Sequence, residues 1–412
     1  MLRRILCILA YSFILVGTSG TTPAFAHAIL LRTEPLDGAI LTTSPSAVHI
    51  WFSESVQPFA DGISVVGPSG QHVEQGKVAV NGAELRIAVD ANASGTYTVR
   101  WRVIADDTHP TRGAFAFSVG HVSATTTETT SGEIGAVSPL GLILQTGARW
   151  LHFLGYALTF GVLAFQLFVL DALTVNESAR HVWRLVNLGV MLLLAAEPLA
   201  LLAQTASLGA SEMLDPVAVG GALDSSFGRA LGLRLGAAMF AWVLVGLAKD
   251  GTATATPIAL AVGWVLALLD GTSAHAASIQ PTWLGLTLNA LHVAALGVWV
   301  GGLVALLVVW RAHGGVLARR FTPFAIASLV TLAATGAAMA WFHLNVPIDW
   351  FDNAYAIVLL TKVMVVALAL LPATIALRRV HHHPERWWRW ELIALVIAVA
   401  LAGLLVSLPP PA

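Results

Sequence analysis

Cysteine is almost missing. Cys7 is the only one in 412 residues, and it lies in an apolar run that an exported protein discards. The mature chain then has no disulfide, no thiolate ligand and no Cys-x-x-Cys metal or haem motif. Charge is scarce as well: Asp, Glu, Lys and Arg make up 11% of the chain, against 57% hydrophobic residues. Soluble domains carry about a quarter charged residues, so most of this chain belongs in lipid. A Gly-x-x-x-x-Gly-Lys-Ser/Thr phosphate loop is absent, which argues against an ATP-driven pump. No basic block suggests nucleic acid, and a net charge of −1 selects no partner.

What is present starts with an export signal. Arg3 and Arg4 precede an apolar run over 5–16, and small residues follow up to Ala24-Phe25-Ala26. This is the pattern of a cleaved secretory signal over 1–26, which leaves His27 as the first mature residue. A terminal histidine offers its α-amine and its imidazole to one metal ion, a nitrogen pair suited to tetragonal Cu(II) or Ni(II).

Residues 27–120 alternate like strands between turn residues. The clearest runs are Val48-His49-Ile50-Trp51-Phe52, Ile63-Ser64-Val65-Val66, Leu85-Arg86-Ile87-Ala88-Val89 and Tyr97-Thr98-Val99-Arg100-Trp101-Arg102-Val103. Short strands at this spacing predict a small β-sandwich or barrel. The polar stretch 121–139, rich in Thr, Ser and Gly, reads as a flexible linker. From 140 to 408 eight apolar segments follow, near 140–171, 183–206, 228–248, 256–272, 284–310, 320–343, 354–377 and 388–408. Each has about the length a helix needs to cross a bilayer, the fourth marginally.

Loop charge sets their direction. The loops after the first, third, fifth and seventh segments hold Arg180, Arg184, Lys249, Arg311, Arg319, Arg320, Arg378, Arg379, Arg386 and Arg389. The alternate loops hold Glu212, Asp215, Asp224, Asp349 and Asp352. The positive-inside rule puts the first set in the cytoplasm and the N-terminal domain outside, as the export signal does.

Asp107 and His109 are two apart, so on a strand or extended turn they point to one side. Together with the His27 amine and imidazole they would make an N,N,N,O set for Cu(II). Asp106 has the wrong spacing for that set. His49, in a strand, and His72 and His121, in loops, read as ordinary surface residues.

The motifs His27-Ala-Ile-Leu-Leu-Arg-Thr-Glu-Pro-Leu-Asp-Gly, Phe52-Ser-Glu-Ser-Val and Asp107-Thr-His-Pro-Thr-Arg-Gly-Ala-Phe-Ala-Phe-Ser-Val resemble the CopC copper-resistance family. That resemblance implies a cupredoxin-like Greek-key barrel of the periplasm. It also implies a Cu(II) site at His27, Asp107 and His109. Some members of that family add a Met-rich Cu(I) site, but no Met occurs between 28 and 120, so only the oxidised ion is expected to bind tightly. The fifth apolar segment, Leu291-His292-Val-Ala-Ala-Leu-Gly297-Val-Trp299-Val-Gly301-Gly302-Leu, resembles the CopD family of inner-membrane proteins. Phe227-Gly-Arg-Ala-Leu-Gly-Leu-Arg234 and Tyr355-xxx-Leu-Leu-Thr-Lys362 are further landmarks of that likeness. Gly297-xxx-Gly301 also predicts that another helix approaches closely there.

Ionisable groups in lipid are costly and mark function. His152, Glu197, His292 and Lys362 lie within apolar segments and His275 at the outer end of the fourth. By position along their helices Glu197, His292 and Lys362 sit about 12–14 Å below the outer surface. Glu197 and Lys362, of opposite charge at similar depth, are candidates for an ion pair. His152, His275 and His292 are candidates for a copper path, whereas scattered Met339 and Met364 read as packing. His381-His382-His383, flanked by arginines and tryptophans, reads as an interfacial anchor.

The sequence therefore predicts an all-β domain followed by an all-α eight-helix membrane bundle. The expected function is not enzymatic: Cu(II) is bound outside and copper is passed inward. The expected partners are copper ions, the bilayer, and copper carriers of the periplasm or cytoplasm. Two other readings stay open, a membrane-tethered sequestering or sensing protein and a haem or copper redox membrane protein.

Overall fold

A computed structural model describes residues 30–105, 110–123, 138–170, 175–272, 276, 279–343, 353–378 and 385–408. His27, Asp107, His109 and His275 lie outside the described residues, as do the signal and most of the linker. The chain divides into two compact units, one of Ala24–Leu144 with Leu201–Arg229, the other of Gln145–Ala200 with Ala230–Ala412.

The first unit is built on a β-sandwich. Its strands are β1 (Leu30–Glu34), β2 (Ile40–Leu41), β3 (Ala47–Phe52), β4 (Val56–Val66), β5 (Glu74–Asn81), β6 (Glu84–Val89), β7 (Gly95–Ala105) and β8 (Pro110–Val119). They form two four-stranded sheets, in the orders β1-β3-β6-β5 and β2-β8-β7-β4. The period-2 pattern explains the layering, since Val48, Ile50 and Phe52 of β3 and Leu85, Ile87 and Val89 of β6 turn inward while their neighbours face out. Trp101 meets the edge of Phe52 at 5.0 Å, and Tyr97 stacks on Phe117 at 5.2 Å. Phe52 is almost fully buried in this core, so Phe52→Ala should cost about 3–5 kcal/mol, read as a lower urea midpoint for the domain's unfolding.

Leu201–Arg229 belongs to this unit rather than to the bundle. Arg112 of β8 donates to the Leu208 carbonyl, and Arg102 of β7 pairs with Glu212 at 3.4 Å. The connection between the second and third membrane segments thus packs with the sandwich.

Eight helices among the described residues are long and apolar enough to cross a membrane. We number the helices α1 (Pro139–Phe168), α2 (Val175–Ala206), α3 (Pro216–Asp224, short and outside this set), α4 (Ser226–Lys249), α5 (Ala255–Thr272), α6 (Thr282–Trp310), α7 (Gly315–Phe342), α8 (Ala354–Arg378) and α9 (Glu385–Ser407). The fifth and sixth expected segments are helical without a break from Thr282 to His343. Yet His292 and Thr335, 43 residues apart, are hydrogen-bonded, where a straight helix would separate them by about 65 Å. The two arms therefore fold back on each other.

Helix α1 is the hub of the bundle. It carries a π-turn at Ala157–Gly161, and there it meets α6 backbone to backbone. A Cβ on Gly161 would strike the Gly297 carbonyl, and one on Gly301 would strike the Ala157 carbonyl and come within 2.9 Å of Gly161 Cα. This is the close approach expected at Gly297-xxx-Gly301, with α1 as the partner. On its other flank Gly155 packs against the α2 backbone at Gly189 and Leu193.

Candidate metal centre and a buried charge cluster

The expected Cu(II) ligands flank described structure. β7 ends at Ala105 and β8 resumes at Pro110, with Ile104 paired to Pro110. β1 opens at Leu30, paired with Phe52, and Val56, four residues beyond Phe52, pairs with Ala105. Four residues span at most about 14 Å. The start of β1, the end of β7 and the start of β8 therefore lie at one end of the sandwich, where Glu54 is also buried. Among the described residues no group of three His, Cys, Asp or Glu is arranged to hold a metal ion. Two of the three histidines read as ordinary are engaged otherwise: His49 bonds Glu84 at 2.8 Å and stacks on Trp51, and His72 bonds Glu74 at 2.7 Å. Burial opposes ionisation of Glu74, but hydrogen bonds from the Val65 N–H and from His72 hold its carboxyl below the ordinary value.

Of the three candidate histidines of the membrane half, the two that are described differ. His152 on α1 has both ring nitrogens engaged, Nδ1 with Glu197 of α2 at 3.2 Å and Nε2 with Asp270 of α5 at 3.0 Å. Arg234 of α4 bonds the other Glu197 oxygen at 3.1 Å. His152, Glu197 and Asp270 are 7%, 2% and 9% exposed. One expectation changes. Glu197 does not pair with Lys362; its carboxylate is taken by His152 and Arg234. His152, a candidate for the copper path, has a carboxylate at each ring nitrogen. Similar depth does not make neighbours, because the rotation of each helix decides which faces meet. Asp270 was the residue the sequence reading passed over. It is the only charge in its apolar segment, and the cost of ionisable groups in lipid was signal enough to name it.

His292 is arranged for a different task. The Thr335 hydroxyl donates its single proton to the Thr331 carbonyl at 2.6 Å. With the hydroxyl proton on that carbonyl, the 2.9 Å contact between His292 Nδ1 and Thr335 Oγ1 is donated by the imidazole, and in that tautomer Nε2 keeps its lone pair. A ring held by its other N–H is the usual posture of a metal-binding histidine. Lys362 is close enough to act on His292 electrostatically. Trp299, seven residues on, donates to the buried Glu391 of α9 at 2.9 Å, a second membrane carboxylate that the sequence reading did not single out.

Comparison with known proteins fits both units. The CopC domain model matches residues 30–120, and the model "Copper resistance protein D-like, N-terminal domain" matches 139–286. Copper transport protein CutJ of Bacillus subtilis is 23% identical over 416 residues, covering 94% of this chain and 75% of CutJ. Protein YobA of Escherichia coli strain K12 is 33% identical over 116 residues, 27% of this chain and 94% of YobA. The crystal structure of CopC from Methylosinus trichosporium OB3b has 28% identity over 23% of this chain and 93% of its own, with a TM-score of 0.20. The chain is a multi-pass membrane protein, and it belongs to the copper-resistance family in which a CopC domain is joined to a copper resistance protein D-like domain.

Proposed function

We propose that the outer domain captures Cu(II) through His27, Asp107 and His109, and that the membrane half passes copper inward by way of His292, with His275 nearer the outer surface. The observation that carries the membrane step is the His292 imidazole, fixed by Thr335 through Nδ1 so that Nε2 is left to bind. The outer site is supported by the start of β1, the end of β7 and the start of β8 lying at one end of the sandwich. An outward-facing sandwich is supported by its packing with Leu201–Arg229, because that loop is acidic and the alternate loops carry the arginines and lysine. Inward movement needs no nucleotide: a membrane potential favours a cation by about 2.3 kcal/mol per charge per 100 mV.

Radioactive copper accumulation in cells lacking other importers tests the reading. Wild type should raise accumulation, and His292→Ala at matched membrane expression should return it to background. Equal accumulation with both proteins would remove His292 from the path. Absence of any rise with wild type would reduce the function to the tethered copper-binding domain.

A further inference from the structure

The His152 cluster holds more protons than its acids and base would need in isolation. An ionised carboxylate only accepts hydrogen bonds, and a neutral imidazole donates one. His152 nevertheless stands within hydrogen-bond distance of a carboxylate at both ring nitrogens, 3.2 Å from Glu197 and 3.0 Å from Asp270. Two protons must therefore be shared among the three groups. Either an imidazolium lies between two carboxylates, or a neutral ring donates to one acid and accepts from the protonated other. Removing one proton leaves a ring lone pair against a carboxylate lone pair in a site with almost no exposure to solvent, which is strongly unfavourable.

The described surroundings suit the two-proton state. Glu197 faces the ring from α2 and Asp270 from α5, and Arg234 reaches Glu197 from α4. On α1 itself the Tyr156 side chain lies near Asp270, and Phe153 sets its edge against the imidazole at 5.9 Å. From α6 the neutral Asn289 packs on α5, donating to the Ala267 carbonyl at 3.2 Å. Among the described residues one imidazolium and one guanidinium face the two carboxylates. Loss of the proton would leave a net negative charge and loosen the bonds that tie α1 to α2 and α5.

We infer that His152, Glu197 and Asp270 form a proton-binding site through which the membrane half exchanges copper for protons. The inference rests on the transport reading above. Both cargoes are cations, and two positive charges inside one low-dielectric bundle exclude each other. The mechanical link is short. α1 carries His152 and, nine residues on, Gly161, whose backbone lies against Gly297 and Gly301 of α6; the same helix bears His292. A change in the bonds of His152 therefore moves the helix that packs on the copper-binding one. Buried His and acid chains are the usual proton carriers of membrane transporters.

The test uses the full-length protein in liposomes loaded with the pH dye pyranine, the membrane potential clamped with potassium and valinomycin. Copper chloride is added outside, with and without ascorbate, and lumenal copper and lumenal pH are followed together. Copper influx with a rise in lumenal pH is expected for wild type. The pH change should fall to the level of protein-free liposomes in Asp270→Asn and His152→Gln, each checked by its melting temperature and elution volume. Copper influx into wild-type liposomes without proton movement overturns this inference and leaves the transport reading standing. So does proton movement that persists in both variants. No copper influx with wild type overturns the transport reading, and the exchange with it.

Discussion

One alanine placed ahead of His27 in the mature protein should weaken Cu(II) binding by about 10²–10⁴-fold, the gain that joining two binding groups on one frame provides. The reason is chemical. As the first residue, His27 offers an amine lone pair and an imidazole that close one chelate ring on the metal. With a residue before it, that amine becomes a peptide nitrogen whose lone pair is delocalised into the carbonyl. The imidazole, Asp107 and His109 are unchanged, while the chelate ring that His27 closes through its own amine is lost. The added methyl and amide fall ahead of β1, which starts at Leu30, and leave the sandwich core untouched. Competition against a Cu(II) chelator of known affinity, with the first residue verified by mass spectrometry, reads the change. Unchanged affinity would refute the terminal chelate. A similar loss in His109→Ala with a normal terminus would show that both ends of the ligand set hold one ion.

A comparably large effect is expected far from any metal. Gly301→Val should lower the melting temperature of the detergent-purified protein sharply, because the new side chain meets backbone that cannot move aside. Its Cβ alone would collide with the Ala157 carbonyl and approach Gly161 Cα. Overpacked sites cost about 1–3 kcal/mol when side chains can yield, and here α1 and α6 must separate. The contact they would lose is the bundle's main core, which includes Val162, Leu163, Trp299, Val300 and Leu303. Gly236→Ala is the control, since nothing lies within 4 Å of its added methyl. Equal melting temperatures for the two variants would mean that α1 and α6 do not touch along these glycines. Such a result would also remove the mechanical link between His152 and His292.

Where a property depends on local period, it was legible without a fold. Alternation over Val48–Phe52 and Leu85–Val89 marked strands, and runs of about twenty apolar residues marked the eight spans, because burial of each segment follows from its own residues. Gly297 and Gly301 announced a close helix contact for the same reason: four residues apart, they share a face. Even the lone pair of His292 rests on a histidine that the sequence had already singled out.

The sequence by itself thus determined the two-part architecture, the membrane spans, and the residue types that make copper the expected cargo. Tertiary structure alone decided partnership. Glu197 is 45 residues from His152 and Asp270 is 118, and no spacing rule relates them. Depth in the membrane made Lys362 an equally good partner for Glu197; helix rotation gave that carboxylate to His152 and Arg234 instead. It likewise set His152 between Glu197 and Asp270, and brought Thr335 to Nδ1 of His292. Side-chain chemistry follows from each residue's identity, but which faces of eight similar apolar helices meet is settled by packing among all of them, around the glycines of α1.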